Sequence, residues 1–283
     1  MIRMTKAQKK YGDFQLNCSL DVPAGSITGL IGGNGSGKST TFKLLLGLIS
    51  AEGGEIKILG KNPNKLSAND REKIGVVMTD TGFSDYLNVK EIRQILKSLY
   101  STFDEELFNS LCIRFDLPEE KKILDFSTGM KAKLKTIVAV THDANLLILD
   151  EVTAGLDVIV RNEILDLLRE YMEKNEERNI LISSHISSDL ENLCDDIYMI
   201  KNGEIVFYEE VDELLGQYAV LKLSEEQYAQ IEKEYILFYK KEPYGYLCLT
   251  NQKQYYLDNY PDVVIEKSTI DELMIVINRG EES

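Results

Sequence analysis

Gly32, Gly37, Lys38 and Ser39 stand in the spacing G-x-x-x-x-G-K-S. That spacing suits a triphosphate. Glycines let the backbone wrap closely around phosphate oxygens and turn its N–H groups inward. Gly32, Asn34, Gly35, Ser36, Gly37, Lys38, Ser39 and Thr40 are therefore the candidate phosphate contacts. Lys38 has the reach for the β- and γ-phosphates, and the Ser39 hydroxyl is a candidate Mg²⁺ ligand. A second pair stands at Asp150 and Glu151, which end the apolar run Leu146-Leu147-Ile148-Leu149. Asp150 is placed to hold Mg²⁺ directly or through water. Glu151 is placed to accept a proton from an attacking water.

The elements around these residues support that reading. Residues 26–31 are a short apolar run and predict a strand. Phe42, Leu45, Leu46 and Ile49 recur at helical spacing and predict a helix over 38–49. The glycine loop thus lies between a strand and a helix, and the helix presents its positive end to the phosphates. The run at 146–149 reads as a strand buried on both faces of a parallel sheet. Acids at its C-terminal end sit where open α/β sheets place ligands.

With these motifs in order, the sequence resembles the ATP-binding subunit of an ABC transporter over about residues 1–215. Further stretches carry the resemblance. Tyr11, in Lys9-Lys10-Tyr11-Gly12, resembles the aromatic that stacks on adenine. Phe126-Ser127-Thr128-Gly129-Met130 resembles the signature loop, whose Ser127 and Gly129 then hold the γ-phosphate of ATP bound by the opposite subunit. Thr153-Ala154-Gly155-Leu156-Asp157 resembles the loop that crosses the dimer interface. His185, after Ile182-Ser183-Ser184, resembles the switch histidine at the γ-phosphate. Two departures stand out. Thr79 occupies a place where most relatives have glutamine; either the following Asp80 substitutes at the metal through water or the site works without that ligand. The signature carries Thr128 and Met130 in place of a glycine and a glutamine, as in the branch that pairs with exporter-type membrane subunits.

The resemblance implies a P-loop NTPase fold of the α/β class: a RecA-like core, an antiparallel β layer and a helical subdomain over about 84–141. Residues 216–283 read as a small α+β appendix, with strands near 220–223, 236–239 and 244–250 and helices near 224–233 and 271–278. No phosphate, metal or nucleic-acid motif occurs in that appendix. The implied activity is ATP hydrolysis with ATP and Mg²⁺, in a homodimer or in a heterodimer with a related ATPase subunit. The implied partner is a separate transmembrane subunit, and the implied location is the cytoplasmic face of the cell membrane.

Composition agrees with that expectation. The chain has 283 residues, 43% of them hydrophobic, with a net charge of −15. Such an acid excess opposes a main task of gripping nucleic acid, and it opposes direct docking on anionic lipid. Cys18, Cys112, Cys194 and Cys248 are far apart and read as reduced, structural thiols. His142 and His185 are the only histidines, too few for a histidine-rich zinc site. No stretch approaches the roughly 20 apolar residues that span a bilayer. The alternatives are a soluble ABC-type ATPase and an ATP sensor without turnover. Known kinds of the first carry a long coiled-coil insertion or tandem cassettes, and this sequence shows neither.

Overall fold

The structure, a computed structural model, describes residues 1–79 and 82–282. The chain divides into two compact units. One holds Met1–Cys194 and Tyr198–Phe207, the other Asp195–Ile197 and Tyr208–Ser283. The division therefore falls earlier than the expected boundary near residue 216.

The first unit opens on a hairpin. Strand β1 (Ile2–Tyr11) turns at Gly12 into β2 (Phe14–Val22). Gly12 has φ 55°, in the left-handed region where glycine is at ease. The strands pair antiparallel from Ile2 opposite Val22 to Tyr11 opposite Phe14. The apolar–polar alternation of β1 is interrupted by a register shift between Met4 and Ala7, which blurs its period.

Strand β3 (Ile27–Ile31) leads through the glycine loop to helix α1 (Lys38–Leu45). That helix stops short of the expected Ile49. Gly47 has φ 66°, and a Cβ there would lie 3.1 Å from the Pro63 carbonyl oxygen. The chain must therefore turn where helical periodicity still runs on. Strand β4 (Gly53–Ile58) then pairs with β1, completing a three-stranded antiparallel layer in the order β2-β1-β4.

After the short α2 (Ala68–Arg71), strand β5 (Ile74–Val77) enters the main sheet. Three helices follow: α3 (Val89–Leu99), α4 (Glu105–Arg114) and α5 (Thr128–Val140). Asn88, Asp104 and Ser127 cap them, each side chain accepting a backbone N–H three residues on. Strand β6 (Leu146–Asp150), helix α6 (Val158–Glu173), strand β7 (Asn179–Ser183) and helix α7 (Ser187–Leu193) return the chain to the sheet. Strands β8 (Asp196–Lys201) and β9 (Glu204–Glu210) complete it. The six-stranded order is β5-β6-β7-β3-β8-β9. The strands β5, β6, β7 and β3 run parallel, and every residue of β3, β6 and β7 is buried. Burial on both faces explains their unbroken apolar runs.

The second unit has its own core. Helix α8 (Val211–Gln217) leads to β10 (Ala219–Leu223), α9 (Glu225–Gln230), β11 (Ile236–Glu242) and β12 (Gly245–Thr250). Helix α10 (Lys253–Asn259), β13 (Val264–Lys267), α11 (Ile270–Arg279) and β14 (Glu281–Glu282) complete it. The five-stranded sheet has the order β13-β10-β12-β11-β14. Leu221, Leu223, Ile231, Ile236, Cys248 and Tyr256 form its buried centre. The tyrosines pack around that centre: Tyr228 stacks on Tyr246 at 3.8 Å, and the Tyr256 hydroxyl donates to the Glu232 carbonyl at 2.8 Å.

Candidate nucleotide-binding and catalytic site

The parallel register sets the site. In β6 and β7, Asp150 lies directly opposite Ser183, so the acids and the segment leading to His185 emerge at one edge. The loop after β3 emerges beside them. Together they line a cavity of about 550 Å³, in the range of small-molecule sites. Asn34, Gly35, Ser36, Gly37, Lys38, Ser39, Thr40, Asp150, Glu151 and His185 all line it.

Gly32 plays a different part. A Cβ there would stand 2.3 Å from the Ile200 carbonyl oxygen, so only glycine lets the loop base press against β8. Its own carbonyl accepts from Lys38 Nζ at 2.7 Å, and the Gly33 carbonyl accepts at 3.3 Å. Those bonds curl the lysine over the loop. Burial holds the Lys38 amine below its usual pKa, and the charges of Glu151 and Asp150 oppose that shift.

Asp150 is buried and accepts from three hydroxyls. Ser183 Oγ donates to Oδ1 at 2.7 Å, while Ser39 Oγ and Thr79 Oγ1 approach Oδ2 at 3.1 and 3.4 Å. Ser39 Oγ and Asp150 Oδ2 are thus two adjacent hard oxygens. Mg²⁺ is commonly held by one or two protein oxygens with phosphate and water oxygens filling its octahedron, so this donor set fits it. Among the described residues, no group of three or more His, Cys, Asp or Glu forms a metal cage. Asp80 lies outside the described residues.

Glu151 combines strain with burial. Its φ of 56° is left-handed, a costly conformation for a residue with a side chain. Its N–H donates to both the carbonyl and the hydroxyl of Ser183, each at 3.1 Å. Its Oε2 accepts the His185 backbone N–H at 3.1 Å, and Oε1 lies 3.1 Å from His185 Nε2. That Oε1 contact lacks hydrogen-bond alignment, so the oxygen is close to the imidazole yet unsatisfied. Burial raises the Glu151 pKa, against the pull of His185 and Lys38. A carboxylate raised in this way is a better proton acceptor.

Two sequence-predicted groups lie elsewhere. Tyr11 is 47% exposed, outside the cavity wall, with Lys9 Nζ 5.5 Å from its ring centre. Its cross-strand partner Phe14 lines the cavity instead, with Lys43, Met78 and Thr79. The hairpin turn at Gly12 is the signal that pairs Phe14 with Tyr11. Lys43 follows Ser39 by four residues and so shares its helix face. Ser127 and Gly129 line a separate cavity of about 480 Å³ with Gly155, Leu156 and Asp157. The two cavities share no lining residue among those described.

The placement of Phe14 yields an expected result. Base–aromatic stacking contributes about 1–3 kcal/mol. Phe14→Ala should therefore weaken ATP binding roughly fivefold or more, and Tyr11→Ala by less, as read by calorimetric titration. A larger loss in Tyr11→Ala would assign the stacking role to Tyr11.

A strand–glycine loop–helix unit, a buried strand ending in two acids, and a helical segment carrying a capped serine together define an ABC-type ATPase. The sequence pattern of the ABC transporter family matches residues 16–154. The lantibiotic transport ATP-binding protein SrtF of Streptococcus pyogenes is 34% identical over 218 residues, covering 75% of this chain and 92% of SrtF. The ABC transporter ATP-binding protein YtrB of Bacillus subtilis (strain 168) is 30% identical over 226 residues, covering 79% of this chain and 77% of YtrB. Among solved structures, an ATP-binding subunit of an ABC transporter superposes with TM-score 0.69 at 25% identity, over 76% of this chain and 91% of that one. The chain belongs to the ATP-binding proteins of the ABC transporter family and has their P-loop ATPase fold.

Proposed function

We propose that this chain is the ATPase subunit of an exporter, working as a pair of ATP-binding subunits against a separate membrane subunit. The observation that carries the reading is the convergence of Lys38, Ser39, Asp150, Glu151 and His185 on one cavity. Backbone N–H groups of the loop 33–37 and the Lys38 amine bind the phosphates. Ser39 and Asp150 would hold Mg²⁺, which would supply charge neutralisation at the phosphates. Glu151 takes the proton of the attacking water, and His185 meets the γ-phosphate beside it.

Ser127 and Gly129 complete the site only from a second subunit. Among the described residues their cavity shares no lining residue with the one around Lys38, and Ser127 already stands at a helix N-terminus suited to an anion. Two chains set head to tail bring each signature loop to the other's γ-phosphate. ATP then favours the closed pair because its contacts with both chains exist only there. Hydrolysis removes the contact and lets the pair open. Among the described residues no helix is long and apolar enough to cross a membrane. The chain attaches at the cytoplasmic face through the membrane partner. The similarity to SrtF, a lantibiotic transport ATP-binding protein, supports a peptide-like, amphiphilic cargo.

The test is co-purification with the transmembrane subunit in lipid, followed by ATPase assays with cyclic and lanthionine peptides. Stimulation of turnover by such peptides is the expected result. A complex whose turnover no peptide moves, or a chain that binds no membrane subunit, would contradict the exporter reading.

A further inference from the structure

Asp150 and Glu151 differ in side-chain role but meet at one hydroxyl. Ser183 closes β7, in register with Asp150, and is fully buried. Its Oγ donates to Asp150 Oδ1 at 2.7 Å and accepts the Glu151 N–H at 3.1 Å. A serine hydroxyl has one proton and spare lone pairs, so both bonds form at once.

We propose that Ser183 is the positioning residue of the site, turning the Asp150 carboxylate toward the metal and clamping Glu151 in its left-handed backbone. The inference rests on the metal role of Asp150 and the proton-accepting role of Glu151 given above.

Two consequences follow from the geometry. With Oδ1 engaged by Ser183, the carboxylate cannot rotate freely, and Oδ2 is fixed toward Ser39 and Thr79. With its N–H held by both oxygens of Ser183, Glu151 keeps a φ of 56° that an unrestrained glutamate leaves. The next residue is a built-in control. Ser184 Oγ lies 3.3 Å from Thr153 Oγ1 and accepts the Ile186 N–H at 3.0 Å, touching neither acid. Partners that orient a metal ligand are typically worth 10- to 100-fold in metal affinity or activity.

The experiment compares Ser183→Ala, Ser183→Cys, Ser183→Thr, Ser184→Ala and Asp150→Asn in the full chain. Mn²⁺ binding is followed by electron paramagnetic resonance with a non-hydrolysable ATP analogue. Analogue affinity without metal, kcat and KM are measured alongside. Ser183→Ala and Ser183→Cys should lose roughly tenfold in Mn²⁺ affinity and in kcat. Their metal-free analogue affinity and KM should stay near the parent's. Ser183→Thr keeps the hydroxyl and should recover most of the loss, while Ser184→Ala should keep the parent's Mn²⁺ affinity. Cysteine fills the serine's space, so its loss is not a cavity effect. Parental Mn²⁺ affinity in both Ser183→Ala and Ser183→Cys overturns the proposal. So does a parallel fall in metal-free analogue affinity, which marks a displaced strand. If Asp150→Asn leaves Mn²⁺ affinity unchanged, the metal role of Asp150 falls and the proposal with it. If Asp150→Asn alone loses the metal, that role stands and only the inference about Ser183 fails.

Discussion

Glu151→Gln should bind ATP as the parent does and hydrolyse it more slowly by a factor on the order of 10²–10⁴, the worth of a general base. The amide keeps the size of the carboxylate and can still accept the His185 N–H that now reaches Oε2 at 3.1 Å. What it loses is basicity, which burial has raised in the native carboxylate. The same shift sets a pH dependence. A base with a raised pKa is active in its deprotonated form, so turnover should fall as pH drops through that raised value, at a higher pH than for an ordinary glutamate. The glutamine variant should lack this limb in its residual activity. Single-turnover rates across pH read both effects. A variant hydrolysing at the parental rate would show that Glu151 is not the base.

Lys38→Ala should remove most ATP binding and, with it, turnover. Truncating one partner of a buried, hydrogen-bonded charge pair costs about 2–5 kcal/mol, which is roughly thirtyfold in affinity at the least. The lysine is buried, and its amine rests on the Gly32 and Gly33 carbonyls, at the mouth of the loop. A triphosphate offers that amine far stronger acceptors than two neutral carbonyls. Replacement by alanine leaves the glycine backbone intact, so the fold should survive while the phosphates lose their nearest charge. Equal affinity in parent and variant would remove the phosphate-loop assignment.

Much of this site was legible in the chain itself. The spacing from Gly32 to Ser39 and the apolar run ending at Asp150 are local patterns whose chemistry dictates their form. The parallel core was readable for the same reason, since strands buried on both faces leave continuous apolar runs. Long-range pairing was less readable. Phe14 reaches the cavity because the hairpin sets it opposite Tyr11, a pairing that the sequence does not display. Helix α1 ends at Leu45 because Gly47 turns against the Pro63 backbone, a contact that no helical period reports. In the second unit, the tyrosine-rich and charged segments of α10 and β13 show neither the helical nor the strand period. Ser183 carries no motif of its own. Its importance arises from the pairing of β7 with β6, which the sequence does not display.

The assignment of one nucleotide site to the cavity around Lys38 is tested most directly by amide hydrogen exchange on the Glu151→Gln chain with and without ATP. That variant should hold the nucleotide while consuming it slowly. Protection should appear in the loop 32–40, around Phe14, at 150–151 and near His185. Residues 127–129 should join them when two chains associate. Protection confined to residues 208–282, or exchange that ATP leaves unchanged in the loop 32–40, would contradict the account.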